Sequence, residues 1–228
     1  MTFTQYVEAV NPYRKLQRIA PTASPRKLRL FACACVRDVG LFLKEDGSRE
    51  AILVAERFAD GRASPDHLAA ALGSAESARA RVYASTRRDW RGAWRMRNTA
   101  CAAKALLLPQ ASHAAFEAIR TLLENGGRVD ANDWNASAWG AHARLLHDIF
   151  GDVQPLPQVD PAWLRWNGSA VVKMAEAIYE ERSFEELPIL GDVLEDAGCD
   201  DPDMLSHCRD EGPHVRGCWV VDLLLGKG

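Results

Sequence analysis

Hydrophobic residues recur at intervals of three and four positions along almost the whole chain, which places apolar side chains on one face of an α-helix. The clearest such segments, each expected to form a helix, are 28–42, 52–59, 112–123, 133–150, 171–181, 184–197 and 202–208. No series of alternating, β-branched segments predicts strands, and the one ambiguous piece is the apolar run 218–225. The pattern therefore predicts an all-α fold of stacked helical hairpins, with roughly ten helices.

Two Ser-Pro pairs mark the expected starts of two helices. Ser24-Pro25 and Ser64-Pro65 each place a capping residue directly before a proline at the first helical position. The helix that begins at Pro25 is apolar around much of its circumference and is expected to lie at the centre of the fold. The alanine-rich run 67–108 is expected to be helical, with interruptions near Gly73 and Gly92.

Residues 151–161 contain three prolines and are the best candidate for a domain boundary. We expect a larger helical part over 1–150, a proline-rich connection, and a smaller helical part over 162–228 packed on the first. The apolar run 218–225 should enter the core as the last element. Its expected partners there are Leu190, Val193, Leu194 and Leu205.

Composition narrows the class of protein without naming a function. The chain has 228 residues, of which 47% are hydrophobic and 26% charged, and its net charge is -3. This composition is typical of an ordinary globular protein. No segment approaches the ~18 consecutive apolar residues of a membrane span, and residues 1–9 do not resemble a signal peptide. We expect a cytoplasmic protein with reduced cysteines and no membrane partner.

The C-terminal stretch 198–225 holds three of the six cysteines and two of the six histidines. Its candidate zinc ligands are Cys199, His207, Cys208, His214 and Cys218. If a helix began at Pro213, His214 and Cys218 would lie on one face at i and i+4. The C-x2-C and H-x3-H pairs that make zinc motifs specific are absent. Buried cysteines acting as small hydrophobic residues are therefore the preferred interpretation. We expect no cofactor, with zinc as the alternative.

Positive charge is concentrated in residues 79–104, which carry eight cations and a single acid, Asp89. Arginine and tryptophan alternate there as on surfaces that bind phosphates and stack bases. The candidate nucleic-acid-binding residues are Arg87, Arg88, Trp90, Arg91, Trp94, Arg95 and Arg97. Residues 176–211 have the opposite character, with thirteen acids and two arginines. Such asymmetry also suits a solvated helix face, pairing between the two halves, or pairing with a like molecule.

Catalytic motifs are absent from the sequence. The nucleophile elbow G-x-S-x-G, the zinc-protease pattern H-E-x-x-H and the P-loop do not occur. His147 and Asp148 are adjacent, and adjacent side chains on a helix do not face each other. The sequence thus gives little support to an enzyme.

Four segments together resemble a large family of bacterial proteins of uncharacterised function. They are RKLRLFACAC at 26–35, VAERFADG at 54–61, LHDIFG at 146–151, and GPHVRGCWVVDLLLG at 212–226. In that family the last segment closes many chains, sometimes after other domains. The resemblance implies a modular unit and carries over no site residue.

A modular helical unit without catalytic motifs suits a protein–protein interaction or scaffolding module with an unidentified protein partner. The first alternative is a nucleic-acid-binding protein that uses the basic stretch 79–104. The second is a module supported by zinc through the C-terminal cysteines and histidines.

Overall fold

The computed structural model describes residues 12–86, 93–123, 134–151 and 155–228. Within these ranges the secondary structure is helical and contains no strand, so the predicted all-α class is confirmed. The helices are α1 (Pro12–Ile19), α2 (Pro25–Asp38), α3 (Asp46–Ala59), α4 (Pro65–Ser85), α5 (Ala93–Ala105), α6 (Ala111–Leu123), α7 (Trp134–Phe150), α8 (Pro161–Glu181), α9 (Leu187–Asp196), α10 (Pro202–Arg209) and α11 (Trp219–Leu224). None of these helices combines the length and apolar character needed to span a membrane.

The chain divides into two compact units, an N-terminal unit of Met1–Ala143 and a C-terminal unit of Arg144–Gly228. Helix α7 runs across this division. The division falls before the proline-rich segment 151–161, which stays a predicted boundary. Residues 144–150 consequently belong with the C-terminal helices.

Helix α2 is the centre of the N-terminal unit, as its apolar circumference predicts. Its residues from Leu28 to Val36 are all buried, and it packs against α3 and α6. The predicted cap is present, since the Ser24 hydroxyl accepts a hydrogen bond from the Lys27 N–H. This bond satisfies one of the free donors at the helix start, while Pro25 removes another.

Arg29 is the one charged side chain on the buried face of α2, with 2% of its surface exposed. Its guanidinium donates hydrogen bonds to the carbonyl oxygens of Leu106, Leu108 and Pro109, which follow the end of α5. Carbonyls past a helix end have no partner within the helix. The planar fork of Arg29 supplies three donors from one buried group and thereby ties α2 to the end of α5.

The remaining helices of this unit pack mainly against their chain neighbours, α3 with α4, α4 with α5, and α5 with α6. Gly73 does not interrupt α4, contrary to the sequence-based expectation. One glycine costs a helix only about 1 kcal/mol, which the surrounding alanines and leucines outweigh. Gly47 has a different role, because it brings α3 close to α4. A Cβ atom at Gly47 would lie 2.5 Å from the Ser74 carbonyl oxygen.

The C-terminal unit is built around a hydrophobic core shared by α8, α9, α10 and α11. The run 218–225 is helical over Trp219–Leu224 and lies in this core, as expected. Leu190 and Leu194 are buried in the same cluster, and Val193 and Leu205 pack against it. Helix α8 is kinked at 166–169, so its second half coincides with the helix predicted from position 171.

The two glycines at 47 and 73 give a matched test of the α3–α4 packing. Gly47→Ala should destabilise the protein by about 1–3 kcal/mol, because a methyl group there meets rigid backbone. Gly73→Ala should stabilise it by about 0.5–1 kcal/mol, because the site is helical and open. Urea unfolding of both variants measures the difference, and equal effects of the two substitutions would contradict the close approach.

His142 predicts a pH dependence of stability. Its ring is fully buried, and neither ring nitrogen has a hydrogen-bond partner among the described residues. Burial lowers the pKa of His142 to about 4. The unfolded chain, with an ordinary histidine pKa of about 6.5, therefore binds more protons between these values, and stability falls as the pH drops through that window.

Between pH 7 and 4.5, wild-type protein should lose about 2 kcal/mol more unfolding free energy than His142→Leu does. The exposed His113 provides the control, and His113→Gln should keep the wild-type profile. If His142→Leu showed the same dependence of unfolding free energy on pH as the wild type, the lowered pKa of His142 would be contradicted.

Candidate metal centre

Four side chains that can bind a metal meet in the C-terminal unit: Asp148, His207, His214 and Cys218. Each offers one donor atom, and these atoms all lie within 4.8 Å of one another. They come from three separate segments, namely the end of α7, helix α10, and the loop that leads into α11. The fold thus gathers ligands that are up to seventy positions apart in the sequence.

Asp148 lies in the last turn of α7 and is almost fully buried, with 3% of its side chain exposed. Its Oδ2 atom accepts a hydrogen bond of 2.9 Å from the Val215 N–H, which fixes the loop against the helix. Its Oδ1 atom faces both histidines. A buried carboxylate requires such partners, because isolated burial of the charge is very costly.

Helix α10 presents His207. The helix starts at Pro202, with the Asp201 carboxylate accepting a hydrogen bond from the Met204 N–H as its cap. His207 Nε2 lies 3.2 Å from Asp148 Oδ1 and 3.3 Å from Cys218 Sγ. Its ring packs against Trp219, with 5.2 Å between the ring centroids. These contacts orient the imidazole so that its Nε2 atom faces Asp148 and Cys218.

Cys218 is the last residue of a tight turn. The Cys218 N–H donates to the Val215 carbonyl at 2.9 Å, and Gly217 adopts a φ of +100° inside the turn. A turn with a positive φ at its third residue favours glycine there. The expected helix from Pro213 is wrong, since α11 begins only at Trp219. His214 and Cys218 therefore meet through the turn rather than on one helix face.

Both ring nitrogens of His214 face oxygen atoms that accept hydrogen bonds. Nδ1 lies 2.7 Å from Asp148 Oδ1, and Nε2 lies 3.1 Å from the Asp210 carbonyl oxygen. A neutral imidazole carries one N–H, so it can donate to only one of the two. A second ring proton satisfies both acceptors, and so does a metal ion at Nδ1 with the proton at Nε2. With a metal, the Nε2–H donates to Asp210, the usual outer contact of a histidine ligand.

The ionisation of Asp148 and His214 reflects their pairing. Burial raises the pKa of Asp148, but hydrogen bonds from His207 and His214 together outweigh it and leave that pKa below its ordinary value. Burial lowers the pKa of His214, yet its bonds to Asp148 and the Asp210 carbonyl leave that pKa raised. Burial raises the pKa of the Cys218 thiol well above its ordinary value, so this thiol is protonated unless a cation binds it.

Zinc fits this donor set in charge and, for His207, in distance. Two neutral imidazoles, one carboxylate and one thiolate carry a formal charge that Zn²⁺ cancels, which leaves no net charge buried. In a tetrahedral zinc site the ligand atoms are about 3.3–3.6 Å apart, given Zn–N and Zn–O near 2.1 Å and Zn–S near 2.3 Å. The distances from His207 to Asp148 and Cys218 are 3.2 and 3.3 Å, close to that range. The 2.7 Å between His214 Nδ1 and Asp148 Oδ1 is that of a direct hydrogen bond, and this pair must move apart to admit the ion.

Cys199 and Cys208, the other two predicted zinc ligands, are not in this group. Both are buried members of the hydrophobic core. Burial raises the pKa of the Cys208 thiol to about 12 and raises that of Cys199. These two residues match the preferred interpretation of small hydrophobic side chains.

Asp148 is the ligand that the sequence analysis missed. Its sequence neighbour His147 offers no partner, because adjacent helical residues point apart. The available signal was its position on the apolar stripe, three residues after Leu145, which is buried. An aspartate on a buried stripe requires a partner, and that partner lies in distant sequence.

Three of the seven predicted nucleic-acid-binding residues lie in the part of the chain that the structure describes. Arg87, Arg88, Trp90 and Arg91 lie outside the described residues. The other three, Trp94, Arg95 and Arg97, are half-buried within the N-terminal unit. Arg95 lies over the rings of Trp94 and Phe42, and Arg97 donates to the Thr86 hydroxyl. These three side chains are engaged in intramolecular contacts, and a role in nucleic-acid binding stays a prediction.

No protein-family model, curated protein or solved structure matches this chain. The metal centre is accordingly interpreted from its own geometry.

Asp148→Asn tests whether the carboxylate holds the centre together. The substitution keeps the shape but removes the charge that faces both histidines. It should lower the unfolding free energy by about 3–5 kcal/mol, as loss of one partner from a buried ionic group does. The matched control is Asp192→Asn, whose exposed carboxylate pairs with Arg209 at the surface and contributes about 0–1 kcal/mol. Equal, small losses in urea unfolding would contradict a central role for Asp148.

Proposed function

We propose that the C-terminal unit is a zinc-supported helical module, in which Asp148, His207, His214 and Cys218 bind one Zn²⁺. The convergence of their four donor atoms within 4.8 Å carries this proposal. The two acceptors around His214 are compatible with it, since a metal ion at Nδ1 leaves the Nε2–H to donate to the Asp210 carbonyl.

The donor set favours a structural metal over a catalytic one. Structural zinc sites have four protein ligands, whereas catalytic sites keep one position for water or substrate. Here four protein ligands are available, and their side chains are at most 12% exposed. The proposed ion joins α7, α10 and the loop before α11, so its binding energy becomes folding energy of the unit.

An interaction or scaffolding role remains the proposal for the whole chain. A zinc centre without an open position suits that role, because it stabilises a binding surface without adding a reaction. The geometry of the ligands supports the metal-binding part of this proposal and does not identify a partner.

Metal content tests the proposal directly. Protein purified without a polyhistidine tag should contain close to one zinc per chain by mass spectrometry of the metal. Removal by a chelator should lower the melting temperature, and added zinc should restore it. At a free zinc concentration one hundred times Kd, the expected stabilisation is about 2.7 kcal/mol. Cobalt in place of zinc should give the visible spectrum of a tetrahedral site with a thiolate ligand.

Cys218→Ala and Cys208→Ala form a matched pair, because both thiols are fully buried and only Cys218 belongs to the centre. Cys218→Ala should weaken zinc binding by at least about a hundredfold, more than loss of an outer contact does. Cys208→Ala should bind zinc with unchanged affinity. Metal-free protein whose melting temperature does not respond to zinc would refute the proposal.

A further inference from the structure

A groove of about 590 Å³ lies in the N-terminal unit between α4, α5 and α6. Its chemistry comes from seven lining side chains: Arg79, Tyr83, Cys101, Lys104, His113, Glu117 and Arg120. The volume is within the range of small-molecule sites, about 300–1,000 Å³. Because all of these residues lie before position 143, the groove is separate from the proposed zinc centre.

Positive charge exceeds negative charge around this groove. Lys104 pairs with Glu76 at 2.9 Å, and Arg120 pairs with Glu117 at 2.7 Å. These two ion pairs cancel in formal charge. Arg79 forms no salt bridge with any carboxylate in the described part of the chain, so its charge is not cancelled by direct pairing.

Arg79 and Arg97 converge on the same ring. Their guanidinium carbons lie 5.3 Å and 4.9 Å from the centroid of Tyr83, within the range of cation–π contacts. The Arg97 Nε–H donates a hydrogen bond to the Thr86 hydroxyl. Within the described ranges Arg97, like Arg79, forms no salt bridge. Two like charges held near one ring repel each other. An anion bound to Arg79 would relieve that repulsion.

The Nε–H of Arg79 is shielded from solvent and has no hydrogen-bond partner among the described residues. A buried donor without an acceptor is costly, so this atom marks where an acceptor is missing. The rest of the groove offers a ring surface at Tyr83, whose hydroxyl lies 3.6 Å from Cys101 Sγ. The groove thus combines an unsatisfied donor, the positive charge of Arg79 and space for the body of a ligand, and Arg97 adds a second positive charge at the Tyr83 ring.

We propose that this groove binds the phosphate monoester group of a small molecule, with Arg79 as its principal donor. A phosphate monoester carries a charge of about −1.5 to −2 at neutral pH and offers three acceptor oxygens. That charge complements Arg79, which lines the groove, and the positive charge of Arg97 on the same Tyr83 ring favours it further. The planar fork of arginine suits phosphate oxygens in bidentate geometry.

The test is calorimetric titration of the full chain in a buffer free of phosphate. The probes are inorganic phosphate, AMP, adenosine as the uncharged control, and a single-stranded oligonucleotide that has only internal phosphodiesters. Inorganic phosphate and AMP should bind saturably, more weakly as salt is raised, and adenosine should not bind. AMP should also slow alkylation of Cys101, the one cysteine that is not fully buried.

Arg79→Gln should weaken AMP binding by about tenfold or more, as loss of a charged donor does. Arg81→Gln is the matched control, because it removes the same charge from the same helix but lies outside the groove and pairs with Glu45. It should change affinity by less than about twofold. If Arg79→Gln does not fold, Lys104→Gln replaces it, with the same direction expected.

Three results would overturn the proposal. The first is absence of saturable binding for both inorganic phosphate and AMP. The second is equal weakening in the Arg79 and Arg81 variants, which would indicate a diffuse field rather than a site. The third is tighter binding of the oligonucleotide than of AMP, which would favour a nucleic-acid surface instead. The zinc proposal stands or falls independently of these outcomes.

Discussion

The buried carboxylate of Asp148 is the constraint on which the C-terminal unit depends. One oxygen accepts the Val215 N–H and the other faces His207 and His214. Removing such a group from water is unfavourable unless every acceptor is satisfied by donors or by a cation. The carboxylate therefore determines where α10 and the 214–218 loop can lie, and the hydrophobic core around Trp219 forms next to this arrangement.

Each unit joins its segments through buried polar contacts. In the N-terminal unit, Arg29 satisfies three carbonyl oxygens beyond the end of α5. The buried Glu56 likewise accepts two hydrogen bonds from Arg37, which joins α3 to α2. Hydrophobic burial is not directional, whereas these bonds are, so they select one arrangement of similar amphipathic helices.

The sequence predicts the helices well because their signals are local. Ser24-Pro25 and Ser64-Pro65 mark starts that the structure confirms, and the 3.6-residue period places Leu28–Val36 in the core. The metal centre was predictable only in part. His207, His214 and Cys218 lie in one short segment, whereas Asp148 is distant in sequence and its role depends on tertiary contacts. The turn at Gly217 was missed because proline at position 213 resembles a helix start.

The separation of the metal ligands along the chain also affects the order of biosynthesis. A ribosome adds about 5–20 residues per second, so Asp148 is made several seconds before Cys218. For most of that interval the carboxylate has neither of its histidine partners, and residues 144–150 cannot reach their final surroundings. The N-terminal unit comprises positions up to 143, all of which are made before Asp148, so its internal contacts do not wait for the ligands. Synthesis therefore gives the two halves different opportunities to fold, the first while translation proceeds and the second only after the ligands have emerged.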